Sequence, residues 1–297
     1  MKLKKPLTLQ DFDPKTTIWL IFTHLGCLLA PFYFTWNAFW VFILLYCITG
    51  GLGICVCFHR LLSHRSFKTP KWIEYLLTIL GCLTAQRSPI FWVATHRRHH
   101  AASDEEDDPH SPRHGFFWSH MVWCMMDKRV PDENEAFKKY APDLANDAGH
   151  RWIQKTHEHW PVLAAAALFI AGGMPFLVWG FFVRTVAVYH GTWIVNSGGH
   201  LLGYQNYKTG EDSKNNGLFA LVSFGDGWHN NHHAYPSWAK HGHHRSWEFD
   251  PSFYFIKTLE FLGLAYDVRS GSIPKSKQTE NQLSHLPLKQ ENFTPIH

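Results

Sequence analysis

Histidine stands out in this chain of 297 residues, which contains 22 of them. They are gathered in groups. His59-Arg-Leu-Leu-Ser-His64 directly follows an apolar stretch, and Asn196-Ser-Gly-Gly-His200 closes another. His96-Arg-Arg-His99-His100 and His229-Asn-Asn-His232-His233 repeat one uncommon pattern, H-x-x-H-H. Residues at i, i+3 and i+4 share a helix face, so each repeat presents three imidazoles together, and Asn196 and His200 are also i, i+4. This arrangement points to metal ligation. His59 and His64 are five apart, ~140° around a helix of 3.6 residues per turn, so that pair needs a helix end or two different metals. Nine donors exceed the usual four of zinc, and two metals with four or five nitrogens each would use them all. Imidazole suits Fe, Zn, Cu and Ni alike, so residue type leaves the metal open. His24, His241, His243 and His244 are read as ordinary surface or core histidines.

The elements that must position these groups are apolar. Runs over 17–34, 36–58, 161–182 and 185–202 are each long enough for a hydrocarbon core of ~30 Å. A residue or two separates the first pair, and Arg184 marks the turn of the second. The expected fold is an all-α integral membrane protein: four transmembrane helices in two hairpins, with a helical cytoplasmic cap holding the metals. The stretch from Lys71 to Thr84 is expected to lie at the interface. The acidic stretch Asp104 to Asp108 and the mixed stretch Asp132 to Asp147 are expected to be exposed. Residues 1–270 form one domain, and the polar stretch 271–297 is expected to be a disordered tail with no cytochrome b5 fold.

Composition agrees with lipid contact. Charged residues make up 18%, below the roughly 25% of a soluble chain, and aromatics reach 16%. Four lysines in the first fifteen residues and 14 Lys+Arg between His59 and Trp160 place both termini and the metal site in the cytoplasm. In a bacterium the membrane would be the inner or plasma membrane. The net charge of +4, without a basic stripe, argues against nucleic acid. The six cysteines contain no CxxC pair and read as small buried hydrophobes.

The order HRxxxH, HxxHH, HxxHH resembles the membrane fatty acid desaturase family. So do Asp108-Pro-His-Ser111, Gly115-Phe-Phe-Trp-Ser-His120, Gly225-Asp-Gly-Trp-His229 and Trp247-Glu-Phe-Asp-Pro251. The resemblance covers roughly His59 to Asp267 and both hairpins. The flanks favour the delta-9 branch, with its stearoyl-CoA desaturases and bacterial acyl-lipid desaturases. It implies a di-iron centre on His59, His64, His96, His99, His100, His200, His229, His232 and His233, with Asn196 bound to one iron through a water. It implies an acyl tunnel bent by Gln86, Trp92 and Thr192, and a cis double bond at mid-chain. The animal acyl-CoA enzymes carry Arg-Asp before the second box, where this chain has Ala94 and Thr95. That departure favours a lipid-bound acyl chain over acyl-CoA, although Arg87 remains as a partner for a phosphate.

The chemistry implied is removal of hydrogen from an unactivated C–H bond, which no acid or base side chain performs. A reduced di-iron centre with O2 carries that step, and the protein supplies placement. O2 takes four electrons and the substrate gives two, so a separate ferredoxin or cytochrome b5 must give two. Arg97, Arg98 and Lys240 are candidates for docking that donor, or for solvated or supporting charge. Asp104, Asp108, Asp226 and Glu248 are candidates to accept from the far nitrogens of the ligating histidines. The alternatives are a membrane di-iron hydroxylase or conjugase, separated by its product, and a His-rich membrane metal transporter. A transporter would need polar ligands deep in several spans, and the apolar runs are nearly free of them.

Overall fold

The computed structural model describes residues 12–126 and 133–271. Among them are helices and isolated bridges, and no sheet. The chain opens with α1 (Pro14–Cys27), capped by the Asp13 carboxylate, which accepts from Lys15 N at 3.0 Å. A turn over 28–35 leads into α2 (Trp36–Ser63). Next come α3 (Lys71–Cys82), α4 (Pro89–Ala101), α5 (Phe116–His120), α6 (Glu133–Tyr140), α7 (Pro142–Ala145) and α8 (Ala148–Thr156). The apolar stretch His159–Leu201 folds as α9, residues 159–171, and α10, residues 174–201. Three short helices close the fold: α11 (Gly217–Val222), α12 (His229–Ala234) and α13 (Pro251–Phe261).

Two stretches, Trp36–Ser63 and His159–Leu201, are long and apolar enough to cross a membrane. At the α-helical 1.5 Å per residue, ~42 Å is the upper bound for α2 and α10, which the π-helical stretches Cys47–Ser63 and Val178–Val183 shorten toward the hydrocarbon thickness of ~30 Å. Their C-terminal ends carry His59, His64 and His200 beyond their apolar parts. Ile18, Phe32, Trp36 and Ile170 belong to a broad set of exposed apolar residues on α1, α9, the turn after α1 and the start of α2. An exposed surface of that kind marks contact with lipid or a partner.

Three boundaries differ from the sequence expectation. First, α1 ends at Cys27, and residues 28–34 belong to a turn containing the 3-10 helix Ala30–Tyr33. Second, the second hairpin turns at Gly172–Gly173 and not at Arg184. Gly173 has φ 65 and ψ −153, a region essentially confined to glycine, and Pro175 then sits in the first turn of α10, where a missing N–H costs little. Arg184 is buried inside α10, donating to Leu83 O at 2.7 Å and Gly180 O at 3.1 Å. A charge read as a hairpin tip is in fact a strap on the C-terminal end of α3. Gly173→Ala is expected to cost ~1–3 kcal/mol through this backbone conformation, read as a lower unfolding temperature in detergent.

Third, α2 runs on to Ser63 and is π-helical from Cys47. A π-helix bonds i to i+5 through the backbone, as in His64 N to His59 O at 3.1 Å; the Ser63 hydroxyl adds a side-chain bond to Phe58 O at 2.7 Å. Residues five apart then stack, and the His59 and His64 ring centroids are 5.0 Å apart. The spacing that fits an α-helix poorly is the spacing this wider helix requires. Below it, α3 packs so closely on α2 that a Cβ on Gly53 would lie 2.6 Å from Gly81 N. The expected tail lies outside the described residues, apart from Gly271.

Candidate metal centre

The helices α2, α4, α10 and α12 bring the eight box histidines and His200 into two adjoining groups. One contains His59, His64, His96, His100 and His232; the other contains His99, His200, His229 and His233. In each group the facing ring nitrogens lie within 4.8 Å of one another. In the first, His64 Nε2 is 2.7 Å from His96 Nε2, and His232 Nε2 is 3.1 Å from His59 Nε2 and 3.0 Å from His100 Nε2. In the second, His200 Nε2 is 3.0 Å from His229 Nε2, and His99 Nε2 is 3.4 Å from His233 Nε2. The pair His99–His100 is split, each ring joining a different group.

Three of the opposite nitrogens face carboxylates at hydrogen-bond distance. His99 Nδ1 is 3.0 Å from Asp108 Oδ1, His200 Nδ1 is 3.0 Å from Asp104 Oδ2, and His59 Nδ1 is 2.9 Å from Asp226 Oδ2. A carboxylate at Nδ1 holds the proton there and leaves the Nε2 lone pair free. The Nε2 atoms of His99 and His200 therefore point into the second group, where a cation would take the place of a proton. Such a donor set fits a cation. Burial, together with neighbouring imidazoles, holds His64, His96, His100, His229, His232 and His233 well below the usual histidine range. These six are neutral at pH 7, the form that ligates. Burial opposes protonation of His99 too, but Asp108 outweighs it and raises that group.

Asp104 and Asp108, expected to be exposed, are buried. Asp108 also accepts from Asp104 N and His110 N, and Asp104 from Asp212 N. The acidic run is exposed only at Glu105, Glu106 and Asp107. Glu248 acts one layer further out. It accepts from Asn231 Nδ2 and Asn206 Nδ2, both at 2.8 Å, and so anchors the helix carrying His229, His232 and His233. Arg97 donates to Leu62 O, Ser63 O and Tyr140 O and pairs with Asp143 at 2.6 Å, tying α4 to the end of α2. These contacts fix the end of α4 against the end of α2. Arg98 reaches Asp107 at 4.0 Å, and Lys240 lies 5.6 Å over the Phe253 ring.

Sequence reasoning missed four residues. Arg60 is fully buried between Asp226, at 3.1 Å, and Asp250, at 3.1 Å. His241, read as ordinary, is buried against Arg60 and Asp226, its ring 4.3 Å from that of His232. Glu211 comes within 3.7 Å of the Nδ1 atoms of His200 and His233. Asp250 holds His241 N at 2.7 Å. Only Arg60, inside the first box, and Asp250, inside Trp247-Glu-Phe-Asp-Pro251, carried a sequence signal.

Asn196 lines the cavities on both sides of His96. One cavity runs from His59, His96 and His229 to Tyr46 and Phe224. The other runs from His96 and Asn196 out to Thr16, Trp19 and Arg87. Trp92 and Thr192 line both. Gln86 connects them: its Nε2 donates to Thr192 Oγ1 at 3.0 Å, and its Oε1 accepts from Trp92 Nε1 at 3.2 Å.

Residues 18–253 match the family model for fatty acid desaturases. The chain is 44% identical to an sn-1 stearoyl-lipid 9-desaturase of Anabaena variabilis, over 85% of this chain and 92% of that one. It is 42% identical to an sn-2 palmitoyl-lipid 9-desaturase of Nostoc sp. (strain 36), over 83% and 87%. It is also 44% identical to an acyl-CoA 5-desaturase of Anemone leveillei, over 83% and 76%. This chain belongs to the fatty acid desaturase family. It is an oxidoreductase of lipid metabolism with a histidine-rich metal centre and membrane-type apolar helices.

Proposed function

We propose that this protein introduces a cis double bond at carbon 9 of a saturated acyl chain esterified in a membrane lipid, using two iron ions, O2 and electrons from a separate ferredoxin or cytochrome b5. The carrying observation is the pair of cavities that meet at His96 and Asn196, beside both histidine groups, around the hydrogen-bonded Gln86–Thr192–Trp92 cluster. The 9-desaturases of Anabaena variabilis and Nostoc sp. (strain 36) support the lipid-linked substrate and the position. Ala94 and Thr95 support the same carrier. In this reading α1, α2, α9 and α10 lie in the bilayer, and the remaining helices form a cytoplasmic cap with both termini.

One iron would be held by His59, His64, His96, His100 and His232, the other by His99, His200, His229 and His233, with Asn196 acting through a water. Bound there with O2 and two external electrons, the irons supply the oxidant that takes hydrogen from two adjacent methylenes. The side chains do the placing. Apolar walls at Ile54, Val188 and Val195 exclude water from the inner cavity. The Gln86–Thr192–Trp92 cluster fixes the bend that sets the methylenes beside His96. Asp104, Asp108 and Asp226 keep protons on Nδ1 of His200, His99 and His59.

Tyr46 closes the inner cavity, donating to Val222 O at 2.5 Å. Tyr46→Ala is expected to lengthen that arm. The ratio of arachidoyl to palmitoyl product would then rise roughly tenfold, the scale of a methylene in an apolar pocket. Product profiles from mixed substrates check it. The acyl carrier is tested by a pulse of labelled saturated fatty acid in expressing cells. Labelled monoene arising first in intact glycerolipid supports the proposal, and label arising first in acyl-CoA overturns the lipid carrier.

A further inference from the structure

The cavity that runs from His96 out to Thr16, Trp19 and Arg87 is the entrance arm, and outside it lies a third cavity, of about 760 Å³, bounded by the start of α1, the loop between α3 and α4, and the junction of α8 with α9. Thr16, Trp19, Ala85 and Arg87 line both it and the entrance arm. Arg87 stands where the two meet, its guanidinium 4.1 Å over the Phe91 ring.

The walls differ in character. One side carries Lys15, Gln154, His157 and Glu158. The Lys15 ammonium and the Glu158 carboxylate form an ion pair that links α1 to the head of α9. The other side carries Ile18, Phe22 and Val162, which are 66%, 50% and 57% exposed. These three continue into an exposed apolar surface over Ile21, Leu25, Leu163 and Ile170. A pocket that receives its ligand from water has little use for an apolar outer rim merging with a belt of this kind. An opening toward lipid needs that rim, because an acyl chain crossing it never leaves apolar surroundings.

We propose that this cavity is a lateral vestibule for the glycerol–ester core of a membrane diacylglycerolipid. The acyl chain enters sideways between α1 and α9 and threads past Arg87 to the histidines. The proposal rests on the acyl-lipid reading above and adds the route and the site of the polar head. The cavity volume falls in the usual range for small-ligand sites, about 300–1,000 Å³. Arg87 and Lys15 supply donors for ester and phosphate oxygens, while Ile18, Phe22 and Val162 meet the start of the acyl chains.

The test uses the metal-loaded enzyme with its donor in vesicles of distearoyl and dioleoyl phosphatidylglycerol. Two matched double variants are compared. Ile18→Trp with Val162→Trp fills the rim, whereas Leu25→Trp with Leu163→Trp places the same bulk on the same belt outside the cavity. Turnover of vesicle lipid is expected to fall at least about tenfold in the first pair, as when substrate positioning is lost, and to hold within about twofold in the second. Iron content should stay the same in both. A phosphatidylglycerol with a diazirine beside the sn-1 ester should label residues 13–22 and 154–162 in the wild type and lose that label in the first pair. Equal turnover in the two pairs, or label confined to other segments, overturns the vestibule. If the wild type turns over stearoyl-CoA and no vesicle lipid, the acyl-lipid reading itself fails.

Discussion

His200→Ala is expected to leave a folded chain with about one metal ion where the wild type is expected to hold two, and with desaturation reduced by roughly 10³-fold or more, as when one member of a catalytic unit is removed. His200 is fully buried at the end of α10, with Asp104 at one nitrogen and His229 facing the other. Its group has four imidazoles, so alanine leaves three, while the neighbouring group keeps its five. The fold should persist because α10 is held elsewhere, through Arg184 to Leu83 O and Tyr189 to Ala85 O. Asp104→Asn tests the other nitrogen. It keeps the shape but removes the charge that holds the Nδ1 proton, and metal affinity should fall about 10–100-fold. Metal analysis of purified variants together with turnover checks both. Two ions retained in His200→Ala would contradict the assignment of this group.

Arg60→Met is expected to be the most damaging single change to stability outside the ligands, at ~3–5 kcal/mol, the cost of breaking a buried ion pair from one side. The guanidinium lies between Asp226 and Asp250 and also meets His241. Methionine fills much of the volume but leaves two buried carboxylates without their cation. Burial already raises the Asp250 carboxyl despite Arg60, so without Arg60 its charged form is costlier still. The double variant Arg60→Met with Asp250→Asn should recover part of the loss, because one stranded charge is gone. Thermal unfolding in detergent reads both. A melting temperature unchanged in Arg60→Met would show that this network contributes little.

Most of the candidate site could be read because its spacing is local. The two H-x-x-H-H groups place three imidazoles on one face of α4 and of α12 by helix geometry alone. The pair His59–His64 resisted the same logic because it presumes 3.6 residues per turn, and α2 is π-helical there. Nothing in the apolar composition of α2 announces that change. The turn at Gly172–Gly173 was open to reading, since a paired glycine two residues before Pro175 is a turn signal, but the charge of Arg184 drew the boundary instead. A charged residue in an apolar run has two readings, a tip in water or a buried strap, and only the partner Leu83 O, far away in sequence, decides between them.

The layer around the histidines shows the same division. Asp104, Asp108 and Asp226 were candidates because carboxylates accompany ligating histidines, but the acidic run Asp104 to Asp108 suggested solvent. Its alternation, two carboxylates in and three out, depends on a loop that periodicity does not describe. Glu211 and His241 reach the centre from segments with no motif. Gln86, Trp92 and Thr192 came only from family resemblance, since no spacing rule joins Thr192 to Gln86 and Trp92, which lie far before it in the chain.

The most direct measurement is the fatty acid profile of cells expressing this chain against cells expressing His99→Ala, with metal and donor supplied and double-bond positions mapped. A cis monoene at carbon 9 formed by the wild type alone is the expected result. Hydroxylated chains in its place would contradict the reaction, and profiles identical in the two cultures would contradict desaturation at this histidine centre.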